Sequence, residues 1–164
     1  MSERFTVVPK AKPEQLRVKD APAVAAGLTQ AVADTYRLIL KCHAYHWNVE
    51  GPLFYPVHHL TDEQYNEMSP AVDDLAERIR SLGQLLPVSL AEVMKLSVVK
   101  DLETRPTTLE MVVDLAKDHS AVAARFQDLV KLAFDNNDLA TANLAIRRTA
   151  FHNQAAWMLC AAAQ

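Results

Sequence analysis

Residues 43–83, HAYHWNVEGPLFYPVHHLTDEQYNEMSPAVDDLAERIRSLG, constrain this chain more than any other stretch. From Phe54 onward, Thr61, Tyr65, Met68, Val72, Leu75, Ile79 and Leu82 recur at steps of four and three. That spacing stacks side chains on one face of an α-helix and predicts a helix buried along that face. A second stripe runs beside it. His58, Asp62, Asp73 and Glu77 are separated by four, eleven and four residues, so at ~100° per residue they drift only about 100° around the axis. Four of the six histidines fall in the same stretch, at 43, 46, 58 and 59.

Helical rise limits what the polar stripe can hold. At ~1.5 Å per residue, the midpoint of His58/Asp62 lies roughly 22 Å from the midpoint of Asp73/Glu77. Metal–ligand bonds are only about 2 Å long, so one metal centre cannot use both pairs of the same helix. If the two pairs serve one site, they come from two copies of the helix running antiparallel about a two-fold axis, each offering its front pair to the other's rear pair. Two equivalent sites per dimer follow.

The rest of the chain is consistent with helices. Three glycines in 164 residues, with 50% hydrophobic content, favour helices over a turn-rich β architecture and give enough apolar surface for one domain. A net charge of −3 gives the body no overall attraction for nucleic acid. Residues 1–20 read as an extended N-terminal tail broken by Pro9 and Pro13, with Pro22 just beyond. Arg4, Lys10, Lys12, Arg17 and Lys19 outweigh Glu3, Glu14 and Asp20 there by two charges. Repeated over an oligomer, such a tail could hold DNA through salt-sensitive phosphate contacts; the bland reading is an arm packed on a neighbour. Cys42 and Cys160 form no metal or disulfide pattern and read as buried free thiols in a reducing compartment. The absence of an apolar leader or a ~20-residue apolar run predicts a cytoplasmic protein with no membrane contact.

Residues 21–164 are expected to form the folded domain. A first helix over 21–49 carries Leu28, Val32, Tyr36, Leu40 and His43 along one face and ends at Gly51-Pro52. A second spans 54–83, with a bend expected at Pro70. Residues 87–105 form a long crossover in which SLAEVMKLS makes a short helix. A third helix, capped by Thr107 or Thr108, buries Val112, Leu115, Ala116, His119, Val122, Phe126, Leu129 and Ala133 and ends in the DNND turn at 135–138. A fourth runs to about residue 162, with Leu144, Phe151, Ala155 and Leu159 inward. The fold class is all-α: a ferritin-like four-helix bundle with a long crossover between helices two and three carrying a short extra helix.

Di-iron bundles with the site inside one subunit use Glu-x-x-His pairs. The residues three before each histidine are Leu40, His43, Tyr55, Pro56, Ala116 and Thr149, none of them glutamate. What remains is the imidazole and carboxylate set of the first two helices, with His46 near the end of helix one. Such donors suit Fe(II), and also Zn(II) or Mn(II).

His46-Trp47-Asn48 with Gly51, Val57-His58 with Asp62, and Asp73 with Leu75-Ala76-Glu77-Arg78 and Leu82-Gly83 closely resemble the Dps family, the DNA-binding proteins from starved cells or mini-ferritins. His152 with Ala156-Trp157-Met158-Leu159 adds to the likeness. The resemblance implies an inter-subunit ferroxidase centre, with His46, His58 and Asp62 from one subunit and Asp73 and Glu77 from its two-fold partner. It implies a hollow dodecamer that oxidises Fe(II), preferably with hydrogen peroxide, stores Fe(III), and protects DNA and cell from oxidative damage, with nucleoid association as a further implication. In that scheme Glu77, with Asp73 and His46, holds the tighter metal, while His58 and Asp62 hold the second or orient water. Trp47 is either a radical sink or interface packing. The alternative reading is a structural DNA-compacting shell in which metal binding mainly stabilises the dimer. His43 is read as a hydrogen-bonded core residue in preference to an accessory ligand, His59 as surface, and His119 as packed with its ring nitrogens hydrogen-bonded. Asp135 and Asp138 match the acidic neighbourhood of the family's iron-entry pore, although Thr141-Ala142-Asn143 stands where many relatives have aspartate.

Overall fold

The computed structural model describes residues 16–164; most of the basic tail, residues 1–15, lies outside the described residues. Five helices follow one another: α1 (Ala21–Asn48), α2 (Phe54–Ser81), α3 (Leu90–Met94), α4 (Thr108–Asp135) and α5 (Leu139–Ala162), with no strand among the described residues. Short turns at 49–53 and 136–138 make α1/α2 and α4/α5 antiparallel hairpins, and the crossover brings α4 back beside α1. The 28-residue helices are each about 42 Å long.

The helix ends have local causes. Asp20 accepts the Ala23 N–H at 3.0 Å, and Pro22 sits in the first turn of α1, where a missing N–H leaves nothing unpaired. Gly83 adopts φ +77° after α2. There its N–H reaches the Arg80 carbonyl at 2.9 Å and the Gln84 N–H reaches that of Ile79 at 3.2 Å, the paired bonds of a Schellman cap. Thr107 and Glu110 cap α4 reciprocally. Asp138 caps α5 with bonds to the Thr141 N–H at 3.0 Å and Oγ1 at 2.7 Å. Pro70 lies inside α2, which continues through it.

The stripe of α2 is the core face: Thr61, Met68, Val72, Leu75, Ile79 and Leu82 are buried, and Tyr65 is half-buried. The stripe expected on α1 holds only at its start. Leu28 and Val32 are buried, but Tyr36 is 39% and Leu40 58% exposed. Successive +4 steps rotate about 40° each, so by Leu40 the position has left the core, which continues through Thr35, Leu38, Ile39, Cys42 and Tyr45. At Gly27, α1 comes so close to α4 that an added Cβ would lie 2.9 Å from Leu129 Cδ1. Cys42 is buried, whereas Cys160 is exposed, contrary to the sequence reading.

Buried charges pin the crossover and the turns. Asp34 accepts the Val98 N–H at 2.7 Å, with Arg125 Nε 3.5 Å away. Lys41 Nζ lies between Asp114 at 2.7 Å and Asp118 at 2.5 Å and also donates to the Lys100 carbonyl. Arg78 donates to Thr141 at 2.9 Å and to Asp138 at 2.6 Å. Asp138 is thus a buried helix cap and ion-pair partner, not a free pore carboxylate. Of the expected tail, Val18 reaches the core, and Lys19 bonds to the α4–α5 turn through its N–H and its Nζ, to the Asn136 and Asp135 carbonyls respectively. No described helix is long and apolar enough to cross a membrane.

Candidate metal half-site

The turn after α1 folds two histidines onto each other. Val49 ends the helix in an extended conformation and Gly51 takes φ +83°, a backbone region that glycine enters without a Cβ penalty. Pro52 follows, and α2 starts antiparallel to α1. His46 Nδ1 then lies 2.9 Å from the His58 carbonyl, and His58 Nδ1 lies 3.0 Å from the His46 carbonyl. The two rings stack with centroids 3.7 Å apart and planes 19° from parallel. A carbonyl oxygen can only accept, so each Nδ1 carries a hydrogen. In the neutral imidazoles both Nε2 atoms therefore keep a lone pair. Backbone acceptors on the far nitrogen orient metal-binding histidines in this way.

Asp62 follows one turn after His58 and is half-buried. Tyr65 donates its phenolic hydrogen to Asp62 Oδ1, and this bond is the largest cause of the raised pKa of the phenol. The Tyr65 ring stands edge-on to His46 at 5.5 Å and packs against His43 at 4.1 Å. His43 in turn stacks on Trp47 at 5.4 Å with the planes 12° apart. His43 is therefore placed by aromatic rings, not by the core hydrogen bonds expected for it. Phe54 stacks on His58 at 5.0 Å, and His59 is exposed beside Tyr55. Trp47 is 72% exposed.

Asp73 and Glu77 are exposed three to four turns further along α2. Among the described residues no three His, Cys, Asp or Glu side chains form a group able to hold a metal ion. The single chain thus brings His46 and His58 together, with Asp62 tied in through Tyr65, and does not bring Asp73 or Glu77 to them. The four-and-three spacing marks Tyr65 only as a core position. Its place three residues after Asp62, on the same helical face, was the available signal.

The two other core histidines lie elsewhere. His119 and His152 are fully buried, with their Nδ1 atoms 2.9 Å apart and neither Nε2 partnered. The expectation that both ring nitrogens of His119 are hydrogen-bonded holds for one of the two.

The ferritin-like domain family matches residues 25–164. The DNA protection during starvation protein of Helicobacter pylori is 35% identical over 129 residues, covering 77% of this chain and 89% of that protein. The crystal structure of a Dps protein from Bacillus brevis superposes with a TM-score of 0.82 at 31% identity, covering 86% of this chain and 95% of that one. Dps from Staphylococcus aureus superposes with a TM-score of 0.83 at 29% identity, over 87% and 96% of the two chains.

Proposed function

The chain belongs to the Dps family of ferritin-like proteins, and from that premise we propose that it is an iron-sequestering ferroxidase whose di-iron sites are completed between two copies. The observation that carries this reading is the reciprocal clasp of His46 and His58, which engages both Nδ1 atoms and leaves both Nε2 lone pairs for a metal. The missing donors are the exposed carboxylates Asp73 and Glu77 of a second chain, since helical rise separates the two pairs of one chain by roughly 22 Å. Two imidazoles and three carboxylates, without thiolate, form a donor set for Fe(II); Zn(II) and Mn(II) are the substitutes it would also accept.

Iron is the substrate. Hydrogen peroxide needs two electrons, and two ferrous ions supply them: 2 Fe(II) + H2O2 + 2 H+ gives 2 Fe(III) + 2 H2O. Delivering both electrons together avoids the hydroxyl radical that a lone Fe(II) would release. Asp73, Glu77 and His46 hold the tighter ion, while Asp62 and His58 hold the second or orient water. Trp47, reached from Tyr65 through His43, takes up stray oxidising equivalents. The ferric product is stored in a hollow shell, a dodecamer built from two-fold dimers, in the cytoplasm. Protection of DNA, the role in the names of the starvation proteins, follows first from removing iron and peroxide. Direct DNA contact through residues 1–20 is a separate property.

Replacing Asp73 and Glu77 together by alanine tests the site. Fast oxidation of Fe(II) by peroxide, followed as ferric absorbance after anaerobic loading, is expected to disappear. DNA mobility shifts at low salt are expected to stay as in the wild type. Undiminished oxidation in that variant would remove the catalytic assignment.

A further inference from the structure

The α4–α5 pair carries an open apolar groove that the half-site does not use. Its floor is formed by Val112, Ala116 and Leu159, which are buried, and its rim includes Val113, 39% exposed, and the exposed Cys160. The groove holds about 450 Å³, within the ~300–1,000 Å³ range of sites that take a ligand. Every lining residue comes from α4 or α5, whereas the donors of the half-site are on α1 and α2.

The chain that precedes the described residues supplies an occupant of the right reach. Leu16 stands near the end of α4, because Lys19 donates its N–H to the Asn136 carbonyl at 3.0 Å and its Nζ to that of Asp135 at 3.1 Å. Arg17 takes φ +54°, a turn conformation uncommon outside glycine, so the chain changes direction just before α1. Counted back from Asp135, the groove begins 15 residues away at Ser120 and ends 23 away at Val112, roughly 23 to 35 Å at ~1.5 Å per residue. Counted back from Leu16, Val8 is eight residues away and Phe5 eleven, roughly 26 to 36 Å at ~3.3 Å per extended residue. Pro9 and Pro13 favour that extension, since the residue before a proline is pushed out of the helical region. The two spans coincide. Phe5, Val7 and Val8 are also the apolar cluster of the tail, set between Arg4 and Lys10. Phosphate contacts would use the cations and leave these three side chains in water.

We infer that residues 5–8 occupy the α4–α5 groove of their own chain and lay the basic tail along α4. Phe5 and Val7 then cover Val112, Ala116 and Leu159, and both surfaces leave water. Arg4, Lys10 and Lys12 are held beside the bundle at set positions, as part of its surface and not as a loose polycation.

Cys160 is a native reporter for the test, because Cys42 is buried. Val7→Cys falls beside Cys160 by the same reach, Ser2→Cys has a longer tether, and Lys12→Cys stops short of the groove at roughly 13 Å. In the assembled full-length protein under mild oxidation, Val7→Cys is expected to form a disulfide within one chain about tenfold faster than Ser2→Cys. Lys12→Cys is expected to form none, and adding Cys160→Ser is expected to abolish the bond, as read by non-reducing electrophoresis and peptide mass. An undocked tail would bring the cysteines of Val7→Cys and Ser2→Cys to Cys160 at similar effective concentrations, so equal rates overturn the inference. A disulfide between chains also overturns it and puts the segment in a neighbour's groove. Trypsin reads the same contact without oxidation. Cleavage after Lys10 is expected to be severalfold faster in Phe5→Asp/Val7→Asp, which leaves the folded domain unaltered, and in Val113→Glu, which changes only the rim. Cleavage at the wild-type rate in Phe5→Asp/Val7→Asp overturns the inference.

Discussion

Acid should loosen the α4–α5 pair at His119 and His152, and the size of the effect can be worked from their surroundings. Both rings are fully buried, and their one mutual hydrogen bond of 2.9 Å leaves both Nε2 atoms without partners. The charged side chain bearing on them is Arg148, a cation, itself held by Glu67 at 2.5 and 2.7 Å. Burial, and after it Arg148, pushes the His119 pKa down to about 3. Burial, then His119 and Arg148, holds His152 well below the usual imidazole range. In the unfolded chain each titrates near ~6.5. Between those values the unfolded state binds protons that the native state refuses, so this contribution is complete above about pH 6.5 and declines as pH falls, by about 1.4 kcal/mol per unit per imidazole. At about pH 4.5 His119 alone removes ~2.7 kcal/mol, and His152 acts in the same direction. Urea unfolding followed by circular dichroism at about pH 7.5, 6 and 4.5, at fixed protein and salt concentration, measures the slope. A His119→Leu/His152→Leu variant supplies the comparison, because Asp34 and Asp118, whose pKa values are raised, and Glu110 and Asp138, whose values are lowered, titrate in both proteins. The variant is expected to lose most of the slope. The same slope in both proteins would refute the reasoning.

Two further outcomes follow from buried charges. Asp138→Ala removes the cap of α5 and leaves Arg78 without its carboxylate; a loss of about 2–4 kcal/mol is expected, seen as a lower denaturant midpoint at unchanged m-value. Lys41→Met leaves Asp114 and Asp118 facing each other without their shared cation and is expected to cost about 3–5 kcal/mol at neutral pH. Burial already raises the Asp118 pKa, and without Lys41 that carboxyl protonates more readily. The loss measured by the same unfolding assay should therefore shrink at about pH 5.

The elements were legible because their signals are local. Steps of three and four from Thr61 to Leu82 keep returning to one face, and the Thr107–Glu110 box and the Gly83 cap mark helix ends within a few residues. Tyr36 and Leu40 were misplaced because a run of +4 steps looks helical while rotating steadily off the core. Asp138 matches the acidic neighbourhood of the family's pore by sequence, and nothing local marks its pairing with Arg78, which lies 60 residues away in the chain. Long-range pairing also hid the His119–His152 bond and the contact of His46 with His58, since spacing says which face a residue is on and not what crosses to meet it. The phenol on Asp62 was within reach of sequence reasoning; its apolar ring drew it into the core stripe.

The ties on α2 bear directly on how a complete site could arise. At its start the helix is fixed to α1 by the two histidine–carbonyl bonds, in its middle to α5 by Glu67 and Arg148, and at its end to α5 by Arg78 with Asp138 and Thr141. These fastenings set the rotation of the helix along its whole length, so Asp73 and Glu77 stay exposed and cannot swing toward His46. Closing roughly 22 Å within one chain would mean breaking α2 itself between Asp62 and Asp73, because both pairs sit on that one continuous helix. A second copy meets the same need without any such loss, because Asp73 and Glu77 are already exposed and His58 and Asp62 are only half-buried. On this reading the rigidity that keeps the donors of one chain apart also holds them ready for a partner, and oxidation should require assembly where a self-contained bundle site would not.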